Sequence, residues 1–388
     1  MRILHIVTGL ASGGAERQLQ LLLRHLPPHQ HCEVLALTNP GAVAAALRAE
    51  GVTVHHLGMR GNRDVGALPR LARRVRAGRY DLVHTHLYRA GLYGRLAARL
   101  AGVRAVVATE HSLHPGVIEG RPVTRGVKGL YLAGERLGTT TVAVSRQVAQ
   151  TLHAWGVPPA RVELIPNGID AARYRRPPAD RAATRARVRA ELGLPQGSRV
   201  IGGIGRLVPG KRFHVLLEAL AGLDGAARLV LVGEGPERSA LERRAAGLGV
   251  RDRLVFTGER DDVPDLLTAL DVLAAPSTEE TFGLGVLEGL AAGLPVRHSA
   301  CPALDELPPG AAPQARRIPS EAAAYTAALR ELCGLGAPGP DPLPRPAAVG
   351  HYDIVRVAAE LGALYDRLAR GRAGRNPADA GPPAGRPS

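Results

Sequence analysis

Short apolar runs alternate with stretches of helical spacing, and the alternation passes through this chain twice. The first pass places strands near 2–10, 32–38, 52–57, 80–86, 104–110, 139–145 and 161–166, with helical stretches between them, notably 66–78, 88–101 and 145–155. From about 171 to 197 the chain is rich in Arg, Ala and Pro and carries no clear strand, so it reads as a linker with a first surface helix. The alternation then restarts, with strands near 199–205, 228–232, 253–257, 271–275 and 294–298 and helices near 211–221, 236–248, 262–270 and 283–292. Strands that alternate with helices predict an α/β fold with a parallel sheet covered on both faces. Two Rossmann-like halves follow, and 388 residues suffice for two cores. A Gly- and Pro-rich connection at 334–350 leads to a helix at 353–369, with Ile354, Ala358, Leu361, Tyr365 and Leu368 on one face. The predicted divisions are 1–172, 173–350, a final helix at 351–370, and a tail at 371–388 whose Pro, Gly, Ala and Arg content reads as disorder.

In doubly wound sheets ligands sit outside the C-terminal ends of the strands, so polar residues there are the candidates. The richest stretch is Pro276 to Val296: an apolar strand enters a polar turn, the turn ends in Phe282-Gly283, and a helical pattern runs to Gly293. A helix N-terminus delivered by a loop offers free N–H groups and partial positive charge, which suit a phosphate. Glu280 lies in the loop and Glu288 in the helix, and as acceptor-only groups both suit sugar hydroxyls. On periodicity alone Glu280 would be a cap and Glu288 a solvated helix residue.

The other strand ends add to this set. Gly9 to Glu16, with Gly13-Gly14, lets backbone approach an anion, although it lacks the Gly-x-Gly-x-x-Gly spacing. His84-Thr85-His86 could ligate zinc, but no Cys, Asp or Glu cluster accompanies it, so hydrogen bonding is the better reading. His111 follows a strand and either faces the cleft or is held by Glu110. Gly205-Arg206 ends a strand and Lys211 is expected at the start of the next helix; a fork and a point charge together could clamp a diphosphate. Lysine occurs only at Lys128 and Lys211 in a chain that otherwise uses arginine, which singles out Lys211. Val232-Gly233-Glu234-Gly235-Pro236 is a further strand–turn–helix junction, and no Asp-x-Asp pair is present to hold a metal against a diphosphate.

Composition narrows the function classes. The formal net charge of +15 admits anionic partners, but aromatics are only 3%, too few for the stacking platforms of single-stranded nucleic acid. No window approaches the roughly 18 apolar residues of a membrane span. Cys32, Cys301 and Cys333 are odd in number and far apart, which fits a reducing compartment. The N-terminus runs straight into a strand pattern without the features of a signal peptide, so the chain is expected in the cytoplasm.

Taken in order, these motifs resemble the retaining GT-B glycosyltransferases of family four. The resemblance rests on Gly13-Gly14, His111, Pro166-Asn167-Gly168-Ile169-Asp170, Gly205-Arg206-Leu207 with Lys211, Gly233-Glu234-Gly235-Pro236, Phe256-Thr257-Gly258, and Glu280 and Glu288 with Phe282-Gly283. It implies a nucleotide-diphosphate-sugar donor held mainly by the second half, and a final helix crossing back to the first. His111, Arg206, Lys211 and Glu280 would act on the reacting groups. Gly13, Gly14, Gly205, Gly233, Glu234, Phe282, Gly283, Leu284 and Glu288 would hold the donor, and transfer would need no metal or other cofactor. In this chain Arg297-His298-Ser299-Ala300-Cys301 departs from the small and apolar residues usual behind the donor helix.

The acceptor, a sugar or a lipid-linked glycan, is expected on the first half, where His84, His86 and Glu16 are candidates. Residues 68–76 read as a basic amphipathic helix with Leu68, Leu71 and Val75 on one side, and Arg89, Arg95, Arg99 and Arg104 add charge. Such a surface suits the anionic inner face of a membrane, or else it is a helix packed on the sheet with a solvated arginine face. The rivals in function are a nucleotide-sugar-binding protein without transferase activity and a nucleotide-sugar epimerase.

Overall fold

The computed structural model describes residues 1–370 apart from 12, 62–63, 196 and 335–341; the expected tail at 371–388 lies outside the described residues. The strands of the first half are β1 (Arg2–Val7), β2 (His31–Ala36), β3 (Thr53–His56), β4 (Leu82–His86), β5 (Ala105–Glu110), the short β6 (Leu113–His114), β7 (Val117–Ile118) and β8 (Arg121–Pro122), then β9 (Thr140–Ala143) and β10 (Val162–Leu164). The second half supplies β11 (Arg199–Ile204), β12 (Ala227–Val232), β13 (Leu254–Gly258), β14 (Val272–Ala275), β15 (Val296–His298) and β16 (Ala315–Arg317). The helices are α1 (Gly14–His25), α2 (Gly41–Ala49), α3 (Ala67–Gly78), α4 (Tyr88–Leu100), α5 (Arg125–Glu135), α6 (Arg146–Trp155), α7 (Pro178–Glu191), α8 (His214–Ala221), α9 (Arg238–Gly247), α10 (Val263–Ala269), α11 (Leu284–Ala291), α12 (Pro302–Asp305), α13 (Ala322–Gly334), α14 (Ala347–His351) and α15 (Ile354–Arg370).

One sheet has the order β10-β9-β5-β4-β1-β2-β3 and the other β13-β12-β11-β14-β15-β16, and their pairings are parallel. The order reverses between β1 and β4 in the first sheet and between β11 and β14 in the second. Those two reversals open the crevices where doubly wound sheets bind ligands. The small antiparallel sheet β6-β7-β8 follows β5 and stands beside the first crevice.

Helix ends follow their sequence signals. Thr124 and Ser145 cap α5 and α6 by accepting from the amides three residues on, each at 3.2 Å, and Gly156 ends α6 in the left-handed region. The face of α15 predicted from spacing is the one buried: Ile354, Ala358, Leu361 and Tyr365 join Ile3, Leu22, Leu82 and Val107 in one cluster. The final helix thus returns to the first half and covers its sheet beside α1. The crossing is tied by backbone, with the Ile169 N–H on Tyr352 O at 2.7 Å and the Ile354 N–H on Ile169 O at 3.1 Å.

The apolar side of the basic helix packs on the sheet. Leu71 and Val75 of α3 are fully buried among Leu4, Leu35 and Val83, so that apolar stripe belongs to the core, while Arg73, Arg74 and Arg76 stay exposed. Arg95 is a correction to the expected surface charge. It is buried against α5, donates to Thr141 Oγ1 at 3.1 Å and lies over the Tyr131 ring. Among the described residues no helix is long and apolar enough to cross a membrane.

Candidate active site

The two crevices face each other, and their chemistry differs. In the first sheet, parallel register sets His5 of β1 beside His84 of β4, and Val7 beside His86. Alternation then turns His5, His84 and His86 to one face, the face that α15 covers. All three rings are buried. His84 bonds Thr109 Oγ1 at 2.7 Å through Nε2 and the Tyr365 hydroxyl through Nδ1, so both of its nitrogens are occupied. His5 Nδ1 lies 3.0 Å from His86 Nε2, and His86 Nδ1 lies 3.1 Å from His111 Nε2. Burial holds these imidazoles neutral, pulling His5 down to about 3 and His111 to about 4, with His84 and His86 also well below the usual range.

This arrangement corrects the acceptor role expected for His84 and His86. Both are sealed inside the sheet and committed to protein partners, so neither reaches an acceptor. The ligand atoms of His5, His84 and His86 lie within 4.8 Å of one another, as a metal trio would require. With both His84 nitrogens already bonded, the set reads better as a hydrogen-bonded network than as a ligand cage. Glu110 does not hold His111 either; it accepts from the Tyr131 hydroxyl at 2.9 Å instead.

Glu16 does stand at the cleft. It lies in the first turn of α1, where burial raises its carboxyl and Arg206 of the other half draws it back down. Gly13 caps α1 without a side-chain bond, and the Glu16 carboxylate folds over it. A Cβ on Gly14 would stand 3.9 Å from Leu284 Cδ1, so the start of α1 faces the start of α11 across the cleft.

The second crevice is charged. Lys211 is not on the following helix, as expected, but ends a short turn, Pro209–Lys211, ahead of α8. Its nitrogen forms an ion pair with Glu280 in the loop after β14. Both groups stay partly exposed, with side-chain accessibilities of 28% and 16%. Behind Lys211 the turns after β11 and β12 pack backbone to backbone. Gly233 has φ +136°, and a Cβ there would lie 2.1 Å from Gly205 O, so a side chain would push the turns apart. Glu234 accepts from Arg238 at 2.8 Å, which holds its carboxyl below the usual range.

The loop after β14 ends where the sequence pattern placed the helix start. Gly283 is the N-cap of α11 at φ +101°, with no side-chain cap. Glu280 is therefore free of the capping role that periodicity alone suggested. Phe282 is buried, packs edge-on against Tyr352 at 5.0 Å, and fixes the loop from below. Glu279 is exposed. Glu288 accepts from the Tyr174 hydroxyl at 3.0 Å; burial raises its carboxyl, and Tyr174, Arg17, Arg173 and Lys211 oppose that rise. The departure at Arg297 and His298 lies in β15, where both side chains are buried.

Contacts across the cleft were not foreseen. Thr281 Oγ1 donates to His111 O at 2.6 Å, and Arg17 bonds Arg260 O at 2.9 Å and Asp261 at 2.8 Å. His5, Arg17, Thr281 and Tyr174 were thus missed as members of the site. For His5 a signal existed, since a histidine inside an apolar strand needs a buried partner; for Tyr174 there was none.

Comparison with known proteins places the chain in a family and a fold. Residues 12–173 match the family model described as Glycosyltransferase Family 4, and residues 184–307 that of Glycosyl transferases group 1. A D-inositol 3-phosphate glycosyltransferase of Nocardia farcinica is 32% identical over 320 residues, which cover 76% of this chain and 67% of its own. A UDP-Gal:alpha-D-GlcNAc-diphosphoundecaprenol alpha-1,3-galactosyltransferase of Escherichia coli is 30% identical over 240 residues, 60% of this chain and 61% of its own. The matches to the first curated relatives cover 50 to 67% of those proteins' length. Among solved structures, the Anabaena HepE complex with UDP and glucose superposes with a TM-score of 0.80 at 23% identity, covering 95% of this chain and 100% of that one. That likeness shows the fold, two Rossmann-like domains in the GT-B arrangement.

Proposed function

The chain belongs to glycosyltransferase family 4, and from that premise we propose that it transfers a sugar from a nucleotide-diphosphate-sugar to a hydroxyl acceptor with retention and without a metal. The observation that carries this reading is the Lys211–Glu280 pair, with Arg206 in the turn after β11 and the uncapped start of α11, at the reversal of the second sheet. Lys211 and Arg206 would take the diphosphate. Glu280 would accept from sugar hydroxyls and Glu288 from the ribose. Gly13, Gly14, Gly205, Gly233, Glu234, Phe282, Gly283 and Leu284 would line the donor through backbone and shape. His111 would meet the sugar from the first domain.

The chemistry follows from where charge develops. As the bond from the anomeric carbon to the phosphate oxygen breaks, negative charge collects on the leaving diphosphate. Fixed cations and amide dipoles stabilise it there. The acceptor oxygen bonds the anomeric carbon from the same face, and its proton passes to the departing phosphate oxygen. This path uses no covalent nucleophile and no metal.

UDP-sugars are the first donors to try, because the Anabaena structure holds UDP and glucose and the Escherichia coli relative is named for UDP-Gal. That relative's name also specifies a lipid-linked diphosphate acceptor, and a sugar or lipid-linked acceptor is proposed here, reached from the cytoplasmic side of a membrane. Salt-sensitive sedimentation with anionic vesicles is expected if the exposed arginines of α3 meet that surface, and its absence would remove the membrane from the proposal.

The test is a nucleotide-sugar panel with EDTA present, followed by proton NMR. Release of nucleoside diphosphate by the wild type is expected. Lys211→Ala and Glu280→Gln should each slow it by on the order of a hundredfold or more with unfolding midpoints unchanged. Near-normal turnover in both variants would sink the reading, and conversion of the sugar to its epimer without diphosphate release would replace it.

A further inference from the structure

Three imidazoles form a continuous buried chain from the middle of the first sheet to the cleft: His5 Nδ1 to His86 Nε2 at 3.0 Å, then His86 Nδ1 to His111 Nε2 at 3.1 Å. The rings stack, with centroids 5.3 Å and 5.4 Å apart. Of the nitrogens in these three rings, only the terminal ones, His5 Nε2 and His111 Nδ1, are buried without a partner. A neutral imidazole has one N–H and one lone pair, so each link fixes the tautomer of the next ring. The chain therefore has two neutral states. Either every ring carries its proton on Nε2, or every ring carries it on Nδ1. Each state leaves one orphan N–H and one orphan lone pair at the ends, so the ends nearly cancel. The intrinsic preference of imidazole for the Nε2–H form then acts three times in the same direction.

We propose that His5 and His86 are positioning residues that lock His111 as the Nε2–H tautomer, leaving its bare Nδ1 as a hydrogen-bond acceptor for a donor-sugar hydroxyl. The tautomer assignment stands on the geometry of the chain together with imidazole's own preference; the role toward the sugar rests on the transferase reading. Thr281 adds the second constraint. Its hydroxyl bonds the His111 carbonyl at 2.6 Å, which ties the end of the chain to the loop that carries Glu280. Tautomer and placement of His111 are thus set from opposite sides of the cleft.

Long-range proton–nitrogen NMR on the full chain labelled with 15N-histidine reads the tautomers directly, with no substrate present. His111, His86 and His5 are expected in the Nε2–H form. His86→Leu should turn His111 into a mixture of tautomers, whereas His86→Asn, whose amide oxygen takes the place of Nδ1, should keep it locked. An Nδ1–H His111 in the wild type, or an unchanged tautomer in His86→Leu, would overturn the proposal even if transfer is confirmed. In turnover of UDP-glucose, kcat should fall about tenfold in His86→Leu with KM nearly constant, and largely recover in His86→Asn. Equal losses in both variants would overturn the functional half and leave the spectra to decide the rest.

Discussion

The strand ends at the two reversals contrast sharply. In the first sheet they carry imidazoles that burial has made neutral and that bond one another, Thr109 and Tyr365. In the second they carry fixed charges, Lys211 against Glu280, that remain partly open to solvent. The physical reason is the cost of desolvation. A histidine can shed its proton and survive full burial, whereas an ammonium in the same place would need a paired carboxylate. One fold therefore supplies a neutral, hydrogen-bonded wall on one side of the cleft and a charged crevice on the other. The fold alone does not assign these roles; the residue types at the reversals do.

Four changes would break or sharpen this contrast. His84→Ala removes the partner of two buried hydroxyls, Thr109 and Tyr365, and opens a cavity beneath α15. It should destabilise the protein by roughly 2–5 kcal/mol in chemical denaturation, while donor affinity of the folded protein changes little. Next comes pH. His5 sits at about 3 in the folded state, so below the unfolded value of about 6.5 the unfolded chain binds the proton first. Its contribution to stability is whole above that pH and drains away as pH falls toward about 3. Between about pH 6.5 and about pH 4 the wild type should lose on the order of 3 kcal/mol more than His5→Asn, a difference in which the carboxylates cancel.

Glu288→Gln should do the reverse of His84→Ala. It keeps the Tyr174 contact but not the charge, so nucleotide-sugar affinity should fall about tenfold, near 1.4 kcal/mol, with stability almost unmoved in the same denaturation assay. The smallest effect belongs to Arg17→Ala. It severs an exposed pair with Asp261, whose side chain is 90% accessible, and should cost less than about 1 kcal/mol by thermal unfolding. A large loss there would mean that the cleft contacts, not the cores, hold the two domains together.

Much of this was legible in the residues. Both passes of the strand–helix alternation, the glycine turns, the loop before α11 and the apolar face of α15 follow from periodicity and punctuation. What was not legible depends on tertiary pairing. His5 gains its meaning only when β1 lies beside β4, and the spacing of neither strand reveals that neighbour. Arg95 looks like a surface arginine on a helix until α5 packs over it. The two-residue strands β6 to β8 are too short to leave a pattern, and β16 at Ala315–Arg317 is nearly so. Tyr174 sits in what read as linker, yet it bonds Glu288.

The central claim is that the charged crevice, and not the imidazole wall, holds the nucleoside diphosphate. Calorimetric titration of UDP, GDP, ADP and dTDP into the wild type, Lys211→Ala and His84→Ala tests it most directly. At least one diphosphate should bind the wild type, with affinity falling by roughly 10- to 100-fold in Lys211→Ala and by less than about threefold in folded His84→Ala. Undiminished binding in Lys211→Ala would contradict the account.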